Sequence, residues 1–316
     1  MRLLKIKIPT FLLLAILWLS GCHAPQFDIP PGNKEVEFFH DQYPRKTSFY
    51  IPKKLKRKKR SLVLCLHSED ETPESMMRLT RHKFNSLADQ DGFIVGYPEA
   101  LNKYWNDGRE DSISLSHYNE IDDVGFIEKL IEYGIDSFRV DPGQIFIAGL
   151  SNGGLMSYRL ACELSKQING IAVVSAALAL DQLVECNADS TVSVLLINGT
   201  RDPIMPYEGG EMIEDEISQG SVLSTQETIN FWRGVNSCSE KSSHRDIPNT
   251  DLFDETRSEK FTYTNCDGES RIVLISVANG GHTWPGGRQY KGEKIIGKTS
   301  RDFDASVEIW RFFKSL

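Results

Sequence analysis

The chain has 316 residues, of which 40% are hydrophobic and 25% are charged, a composition typical of a folded globular protein with a sizeable core. Its formal net charge of −8 argues against a nucleic-acid-binding protein, because neutralising phosphates requires a basic surface. No Pro/Ser-rich linker or internal repeat interrupts the middle of the sequence. We therefore expect one large domain over residues 35–316 rather than two smaller ones.

The first residues are predicted to be an export signal. A basic start precedes a short apolar run over residues 11–19, which is too short to span a membrane comfortably. The stretch 19–22, Leu-Ser-Gly-Cys, resembles the lipobox of bacterial lipoproteins. We expect residues 1–21 to be removed and Cys22 to carry acyl chains, with residues 22–34 as a tether. The protein would then be anchored to a bacterial membrane, at the outer membrane or cell surface; the alternative is an ordinary cleaved signal and a secreted protein.

Export changes the interpretation of the other cysteines, because an oxidising compartment permits disulfides. Cys238 and Cys266 lie in polar, loop-like surroundings that suit a bridge. Cys162 and Cys186 form a plausible second pair, and Cys65, inside an apolar run, is expected to be a buried free thiol. No Cys/His spacing is typical of a metal site, and we predict neither metal nor cofactor.

The predicted elements alternate between strands and helices along the chain. Short apolar runs rich in Val, Ile and Leu are typical of strands buried on both faces; they cover residues 62–66, 93–97, 145–148, 171–175, 192–197 and 272–277. Apolar residues recur at helical spacing between them, over residues 75–90, 121–133, 154–165, 221–234 and 302–313. This alternation predicts the α/β class with a doubly wound, mostly parallel sheet flanked by helices.

Residues 149–153, Gly-Leu-Ser-Asn-Gly, fit the G-x-S-x-G pattern of a nucleophile elbow. The pattern alone is weak, but here it follows a predicted strand and precedes a predicted helix, which is the context it requires. A serine on such a turn projects its Oγ into solvent, and the helix behind it directs amide dipoles towards a developing oxyanion. Ser151 is the candidate nucleophile, and an ordinary glycine-rich turn is the alternative.

An elbow serine needs an acid and then a histidine, in that chain order. Asp202 follows the strand predicted over 192–197 by a short loop, a placement that its rivals lack; these are Asp181, Asp189 and Glu208. His282 follows the last predicted strand through a glycine-containing loop, whereas His244 lies in a polar stretch. Asp202 and His282 are therefore the candidate triad partners of Ser151.

The oxyanion hole needs two backbone amides. One normally comes from the residue after the serine, here Asn152, and the other from the loop after an early strand. That loop begins at His67 and Ser68, and Ser68 is the candidate second donor.

With these motifs, the sequence resembles the polyhydroxybutyrate depolymerase and feruloyl esterase family of α/β-hydrolases. The resemblance spans about residues 35–316, and its most specific part is Gly-Gly-His-Thr-Trp-Pro-Gly-Gly at 280–287; the other matching stretches are 122–127, 140–142, 149–154 and 160–163. It implies an exported α/β-hydrolase that cleaves carboxylic esters through Ser151, Asp202 and His282. One departure is that family members usually carry His-Gly where this chain has His67-Ser68, followed by three acidic residues.

The expected partner is therefore a small or polymeric ester, such as a polyhydroxyalkanoate, hydroxycinnamoyl or acetyl ester, with membrane contact through Cys22 and no nucleic acid. Trp105 and Trp284 are candidates to line the substrate pocket, with core packing as the alternative. Two other functions stay open. A serine peptidase uses the same fold, and the altered loop at Ser68 suits a weakly active or silent lipoprotein that binds polysaccharide or polyester.

Overall fold

A computed structural model describes residues 29–56, 59–110, 114–214 and 217–316. The predicted export signal and Cys22 lie outside these ranges. Within the described ranges, no helix is both long enough and apolar enough to cross a membrane. The first strand begins at Gly32, so the tether predicted over 22–34 is too long at its carboxyl end: its last three residues, 32–34, belong to the sheet.

The centre of the fold is a ten-stranded sheet. The strands, with a separate hairpin formed by β8 and β9, are β1 (Gly32–His40), β2 (Tyr43–Ile51), β3 (Leu62–Leu66), β4 (Ile94–Pro98), β5 (Ile145–Leu150), β6 (Gly170–Val174), β7 (Ser193–Gly199), β8 (Gly210–Glu214), β9 (Ile217–Val222), β10 (Ser242–Ile247), β11 (Arg257–Tyr263) and β12 (Ile272–Ala278). The sheet order is β1-β2-β4-β3-β5-β6-β7-β12-β11-β10. The six strands from β4 to β12 in this order are parallel, and two antiparallel strands flank them on each side.

Helices cover both faces of this sheet. They are α1 (Pro73–Leu79), α2 (Lys83–Asp91), α3 (Leu115–Tyr118), α4 (Asp123–Phe138), α5 (Asn152–Glu163), α6 (Leu180–Glu185), α7 (Thr225–Val235), α8 (Glu293–Ile296) and α9 (Ala305–Lys314). Successive side chains of a strand point to opposite faces. Along β3, Leu64 accordingly packs in one hydrophobic core and its neighbour Cys65 in the other. The predicted doubly wound α/β architecture is confirmed.

All six predicted strands form, with ends within about two residues of the expected ones. The antiparallel strands β1, β2, β10 and β11 were not predicted. The outermost strands β1 and β10 have alternating or mostly exposed side chains, because an antiparallel edge strand can face water on one side. The inner strands β2 and β11 mix polar and apolar residues. A search for continuous apolar runs therefore passes over them.

The single helix predicted over 75–90 is wrong. The chain forms α1 and α2, separated by Arg81 and His82, both of which take left-handed backbone conformations with φ of 52° and 53°. Thr80 ends α1 by donating its hydroxyl to the carbonyls of Met76 and Met77 at 3.0 and 3.2 Å. Such local hydrogen bonds compete with helix continuation.

Both predicted disulfides form, Cys162–Cys186 and Cys238–Cys266. Cys65 is a buried free thiol, as expected from its place in an apolar strand. Burial raises the pKa of this thiol well above its usual value, so it stays protonated and unreactive. Two disulfides are typical of a protein that folds in an oxidising compartment.

Candidate active site

Ser151 lies at the carboxyl end of β5, immediately before α5, and its backbone has φ 54° and ψ −119°. A non-glycine residue with positive φ is strained, and such strain is maintained at functional sites by the surrounding structure. Its amide donates to the carbonyl of Val174 at 3.0 Å, which ties the turn to the neighbouring strand β6. The strand–turn–helix context predicted for the elbow is present.

The glycines on either side of Ser151 are required by close backbone approach. A Cβ on Gly149 would lie 2.1 Å from the carbonyl oxygen of Gly153. A Cβ on Gly153 would lie 2.5 and 2.6 Å from the carbonyl oxygens of His67 and Leu66. The G-x-S-x-G spacing therefore lets the turn close on itself and lets α5 approach the loop that follows β3.

Asp202 and His282 meet at the same edge of the sheet. Asp202 follows β7 and His282 follows β12, two neighbouring parallel strands whose carboxyl ends lie at the edge that also carries Ser151. The Nδ1 atom of His282 lies 2.8 Å from Oδ2 of Asp202, and the two side chains are only 3% and 2% exposed. The other carboxylate oxygen accepts from the backbone amides of Ile204 and Met205 at 2.9 and 2.7 Å.

This arrangement determines which nitrogen of His282 carries a proton. An ionised carboxylate can only accept, so Nδ1 donates to Asp202 and Nε2 keeps its lone pair. The backbone of His282 is held as well: its amide donates to Ile296 at 2.6 Å and its carbonyl accepts from the Tyr290 hydroxyl at 2.9 Å. The imidazole is thereby held in one orientation and one tautomer.

Two of the three rival acids, and the rival histidine, are engaged elsewhere. Asp181 lies in α6 and accepts from the amide of Glu110 at 3.0 Å, and Asp189 pairs with the exposed Lys166. His244 is exposed on the edge strand β10, beside Glu259.

Asn152 is the first residue of α5, where a backbone amide has no acceptor within the helix and is available to an anion. Its side chain is buried and bonded three times. Oδ1 accepts from the amide of Trp105 at 2.9 Å, and Nδ2 donates to the Trp105 carbonyl at 3.1 Å and to Asp107 at 2.6 Å.

The loop that carries Ser68 is organised by the buried side chain of His67. Nδ1 of His67 donates to the Ser68 carbonyl at 2.6 Å, and Nε2 accepts from the amide of Ala100 at 3.0 Å. Both bonds need the neutral imidazole, and burial lowers the pKa of His67 from 6.5 to about 4. This function of His67 was not predicted, since a lone histidine after a strand gives no sign of its partners.

The predicted pocket positions of Trp105 and Trp284 need correction, because both side chains are fully buried. Trp105 donates its indole N–H to the carbonyl of His67 at 3.0 Å, and Trp284 donates to Ser306 at 3.1 Å. Both tryptophans support the loops from beneath. An indole combines a large apolar body with one donor, which suits it to this packing.

A cavity of about 240 Å³ is lined in part by His67, Ser68 and Leu150, the residue that precedes Ser151 in the chain. Its walls come from the loop at 67–71, from α1, from Leu150 and from residues 288–290. Tyr290, which holds the carbonyl of His282, is one of its lining residues. A concave, partly apolar cavity is the usual form of a small-molecule site.

Ser175, which no sequence pattern indicated, is also part of this edge. It follows β6, is buried, and has a positive φ of 50°. Its hydroxyl donates to the carbonyl of Thr283, the residue after His282, at 3.3 Å. Ser175 thus joins the end of β6 to the histidine loop.

Residues 105–235 match the sequence profile of the phospholipase/carboxylesterase family. The chain is 28% identical over 253 residues to NocK of Nocardia uniformis subsp. tsuyamanensis, a proposed esterase, with 78% of this chain and 72% of NocK covered. It is 26% identical over 202 residues to feruloyl esterase B of Piromyces equi, with 61% and 34% covered. The chain thus spans only about a third of that relative.

Among solved structures, the acetyl xylan esterase from Aspergillus awamori superposes with a TM-score of 0.53 at 16% identity, covering 80% of this chain and 94% of that one. This likeness shows the fold. The resemblance to feruloyl esterases is confirmed by the sequence matches. The chain is thus similar in sequence to proteins named as esterases and carboxylesterases.

Proposed function

We propose that the protein is a serine esterase that uses Ser151 as nucleophile, His282 as general base and acid, and Asp202 as the residue that orients the imidazole. The observation that carries the proposal is the 2.8 Å hydrogen bond between His282 and Asp202 at the edge of the sheet where the strained Ser151 stands. Strain at a buried, non-glycine turn residue and a buried His–Asp pair are both costly, and a structural serine requires neither.

The reaction follows from these positions. Ser151 Oγ attacks the ester carbonyl carbon while Nε2 of His282 takes its proton, and Asp202 stabilises the imidazolium. The tetrahedral oxyanion accepts hydrogen bonds from the backbone amides of Asn152 and Ser68. His282 then protonates the leaving alcohol oxygen, which leaves an acyl-enzyme. Water, deprotonated by His282, attacks this intermediate and releases the acid with regeneration of Ser151.

The substrate class we propose is an ester whose acyl group fits the 240 Å³ cavity lined by Ser68 and Leu150: a hydroxycinnamoyl, acetyl or short hydroxyalkanoate ester. Support comes from the relatives named as feruloyl esterases and from the one named as a bifunctional acetylxylan esterase/xylanase. The partly apolar lining, with Met76, Leu79 and Leu150, suits an acyl chain or an aromatic ring.

The test is a panel of p-nitrophenyl acetate, p-nitrophenyl butyrate, methyl ferulate and hydroxybutyrate oligomers, assayed with the wild type and with Ser151→Ala. We expect hydrolysis of at least one ester and a loss of kcat of about 10,000-fold or more in the variant. A fluorophosphonate should label the wild type at Ser151, as mapped by peptide mass spectrometry, and should not label the variant. Wild-type activity in Ser151→Ala would contradict the mechanism.

Two additional measurements, p-nitroanilide cleavage and binding to xylan or polyester, separate the two other functions. A Ser151-dependent cleavage of p-nitroanilides that exceeds the ester activity would identify a peptidase. Binding of xylan or polyester without hydrolysis of any ester in the panel would identify a silent binding protein.

We also propose that Cys22 anchors the exported protein to a membrane by acyl chains. The support is the Leu-Ser-Gly-Cys stretch at 19–22 behind a short apolar run. In a bacterial host that processes lipoproteins, the wild type should label with a palmitate analogue and sediment with membranes. Cys22→Ala should do neither, and a Cys22→Ala protein that still labels would contradict the anchor.

A further inference from the structure

We propose that Tyr104, Asp107 and Arg109 are positioning residues that hold both oxyanion-hole donors in place and keep the charge of Glu69 away from the oxyanion. The inference rests on the proposed serine esterase mechanism and extends it to a segment, residues 104–109, in which Trp105 alone had a predicted function. Three observations carry it: a buried ion pair, a shared contact with both donor loops, and a hydroxyl that bridges Arg109 and Glu69.

The first observation is the ion pair between Asp107 and Arg109, whose side chains are 1% and 3% exposed. The guanidinium donates to both carboxylate oxygens, with distances of 2.8 to 3.1 Å. One of these oxygens also accepts from Nδ2 of Asn152 at 2.6 Å. The ion pair is therefore hydrogen-bonded to the side chain of Asn152, whose backbone amide is the first proposed oxyanion donor.

Arg109 has donors left for other partners, because a guanidinium carries five N–H groups. Nη1 donates to the carbonyl of Gln219 in β9 at 2.6 Å. Burial by itself would lower the pKa of Arg109, yet the adjacent Asp107 and Tyr104 raise it. Arg109 is thus a permanent buried cation, fixed from several sides.

The second observation is that the segment contacts both donor loops. The backbone of Trp105 makes two hydrogen bonds with the Asn152 side chain, at 2.9 and 3.1 Å. The Trp105 indole donates to the carbonyl of His67 at 3.0 Å, directly before Ser68. One short stretch of chain therefore sets the distance between the amides of Asn152 and Ser68. Oxyanion stabilisation depends on that distance, because the donors must lie about 3 Å from one oxygen atom.

The third observation concerns Glu69, which follows Ser68. A carboxylate there opposes the formation of an oxyanion, since like charges repel. The hydroxyl of Tyr104 hydrogen-bonds with Glu69 and accepts from Nη2 of Arg109 at 3.1 Å. Glu69 is thus linked through Tyr104 to the buried cation Arg109. Burial and the carboxylates of Glu69 and Asp107 raise the pKa of Tyr104 despite Arg109, so its hydroxyl remains a donor to Glu69.

This link gives a physical reason why a chain with Ser68-Glu69 in place of the family's glycine can still stabilise an oxyanion. The cost of the acidic residue is offset by a cation that reaches it through one hydroxyl. Tyr104, Asp107 and Arg109 do not touch the reacting atoms in the proposed mechanism; they act through Asn152, Ser68 and Glu69.

The experiment compares steady-state hydrolysis of p-nitrophenyl butyrate, or of the best ester in the panel, by the wild type, Tyr104→Phe, Glu69→Gln and the double variant. Tyr104→Phe removes one oxygen atom and leaves the ring. We expect kcat to fall about tenfold, the size of a partly screened charge acting on the transition state, with KM unchanged. Glu69→Gln should retain full kcat, and in the double variant it should restore most of the kcat lost in Tyr104→Phe.

If Tyr104 had only a structural function, removing the charge of Glu69 would not restore the kcat lost in Tyr104→Phe. The absence of this rescue therefore overturns the electrostatic link. Unchanged kcat in Tyr104→Phe overturns it as well. A second variant, Asn152→Ala, keeps the backbone amide and removes the three side-chain bonds to residues 105–107. It should lower kcat about tenfold or more with little change in KM; wild-type kcat in a folded Asn152→Ala protein overturns the positioning of Asn152.

Arg159→Met is the matched control, because Arg159 donates to the carbonyl of Asn106 in the same segment at 2.7 Å but does not bond to Asp107 or Tyr104. It should keep the wild-type kcat. Failure of the underlying mechanism is distinguishable: it shows as an inactive wild type or as an active Ser151→Ala variant, before Tyr104 is changed.

Discussion

The two sides of Ser151 are held by different means. On the proposed acid–base side, short loops after β7 and β12 carry Asp202 and His282, and most of their support comes from backbone groups, such as the amides of Ile204 and Met205. On the proposed oxyanion side, the loops of Asn152 and Ser68 depend on side chains, namely Asp107, Arg109 and His67. A backbone-supported half tolerates changes in surrounding side chains, whereas a half supported by buried charge and an imidazole is sensitive to substitution and pH.

The largest loss of kcat is expected from a change to Asp202, which affects only the proposed acid–base side. Asp202→Asn keeps an oxygen that can accept from the amides of Ile204 and Met205, but its amide group no longer accepts from Nδ1 of His282. The wrong tautomer is then favoured, and we expect kcat to fall about 10,000-fold with little change in melting temperature. The matched control is Asp181→Asn, in which a rival acid is changed; equal losses in the two variants would contradict the assignment.

The second largest loss is expected at Gly153, where α5 contacts the loop that carries Ser68; we call this contact the junction between the two sides. In Gly153→Ala, the new Cβ meets the carbonyl oxygens of His67 and Leu66 at 2.5 and 2.6 Å, and the loop that carries Ser68 must move away from α5. We expect a loss of about 1–3 kcal/mol of unfolding free energy, measured by urea denaturation. Activity should fall about 100-fold, since one donor is displaced.

Gly143→Ala is the control for this change, because its Cβ would meet only Asp141 Oδ1, at an ordinary 3.4 Å. Stability close to that of the wild type is expected there. A Gly153→Ala protein as stable as Gly143→Ala would show that the contact between α5 and the loop after β3 does not require glycine at position 153.

The oxyanion side should also be the acid-sensitive one. The folded pKa of His67 is about 4, below its ordinary value of 6.5. Its contribution to stability is therefore complete above pH 6.5 and is lost as the pH falls towards 4, because the unfolded chain takes up the proton first. The shift corresponds to about 3 kcal/mol of unfolding free energy across that window.

Urea denaturation at several pH values should show a shallower decline between pH 6.5 and 4 in His67→Gln than in the wild type. His82→Gln, which replaces an exposed histidine, serves as control and should keep the wild-type slope. Identical slopes in all three proteins would show that His67 is not the group responsible.

The smallest change in kcat is expected from a substitution at Ser68. Ser68→Gly introduces the residue that the family usually carries there, and it leaves the backbone amide in place. Because the network around Tyr104 already offsets the acidic loop, we expect kcat to rise by no more than a few-fold, with an unchanged pH profile. A large gain would show that Ser68 itself limits the oxyanion hole.

Much of the fold was predictable because buried parallel strands appear in the sequence as continuous apolar runs. Helix boundaries were harder to predict. The hydrophobic pattern does not change at Arg81 and His82, where the helix breaks because of a local hydrogen bond of Thr80. The strands β1 and β10 were missed for the opposite reason, since exposed edges need no apolar run.

The candidate triad followed from order and context: Ser151 on a strand–turn–helix, then Asp202 and His282 each behind a strand. Local sequence determines such placement because parallel strands bring their carboxyl ends to one edge. Tertiary structure alone decided that Trp105 and Trp284 are buried supports, and that Asp107 and Arg109 link Asn152 to Tyr104. These contacts join residues from separate loops, and side-chain hydrogen bonds between loops have no period or spacing that a sequence can display.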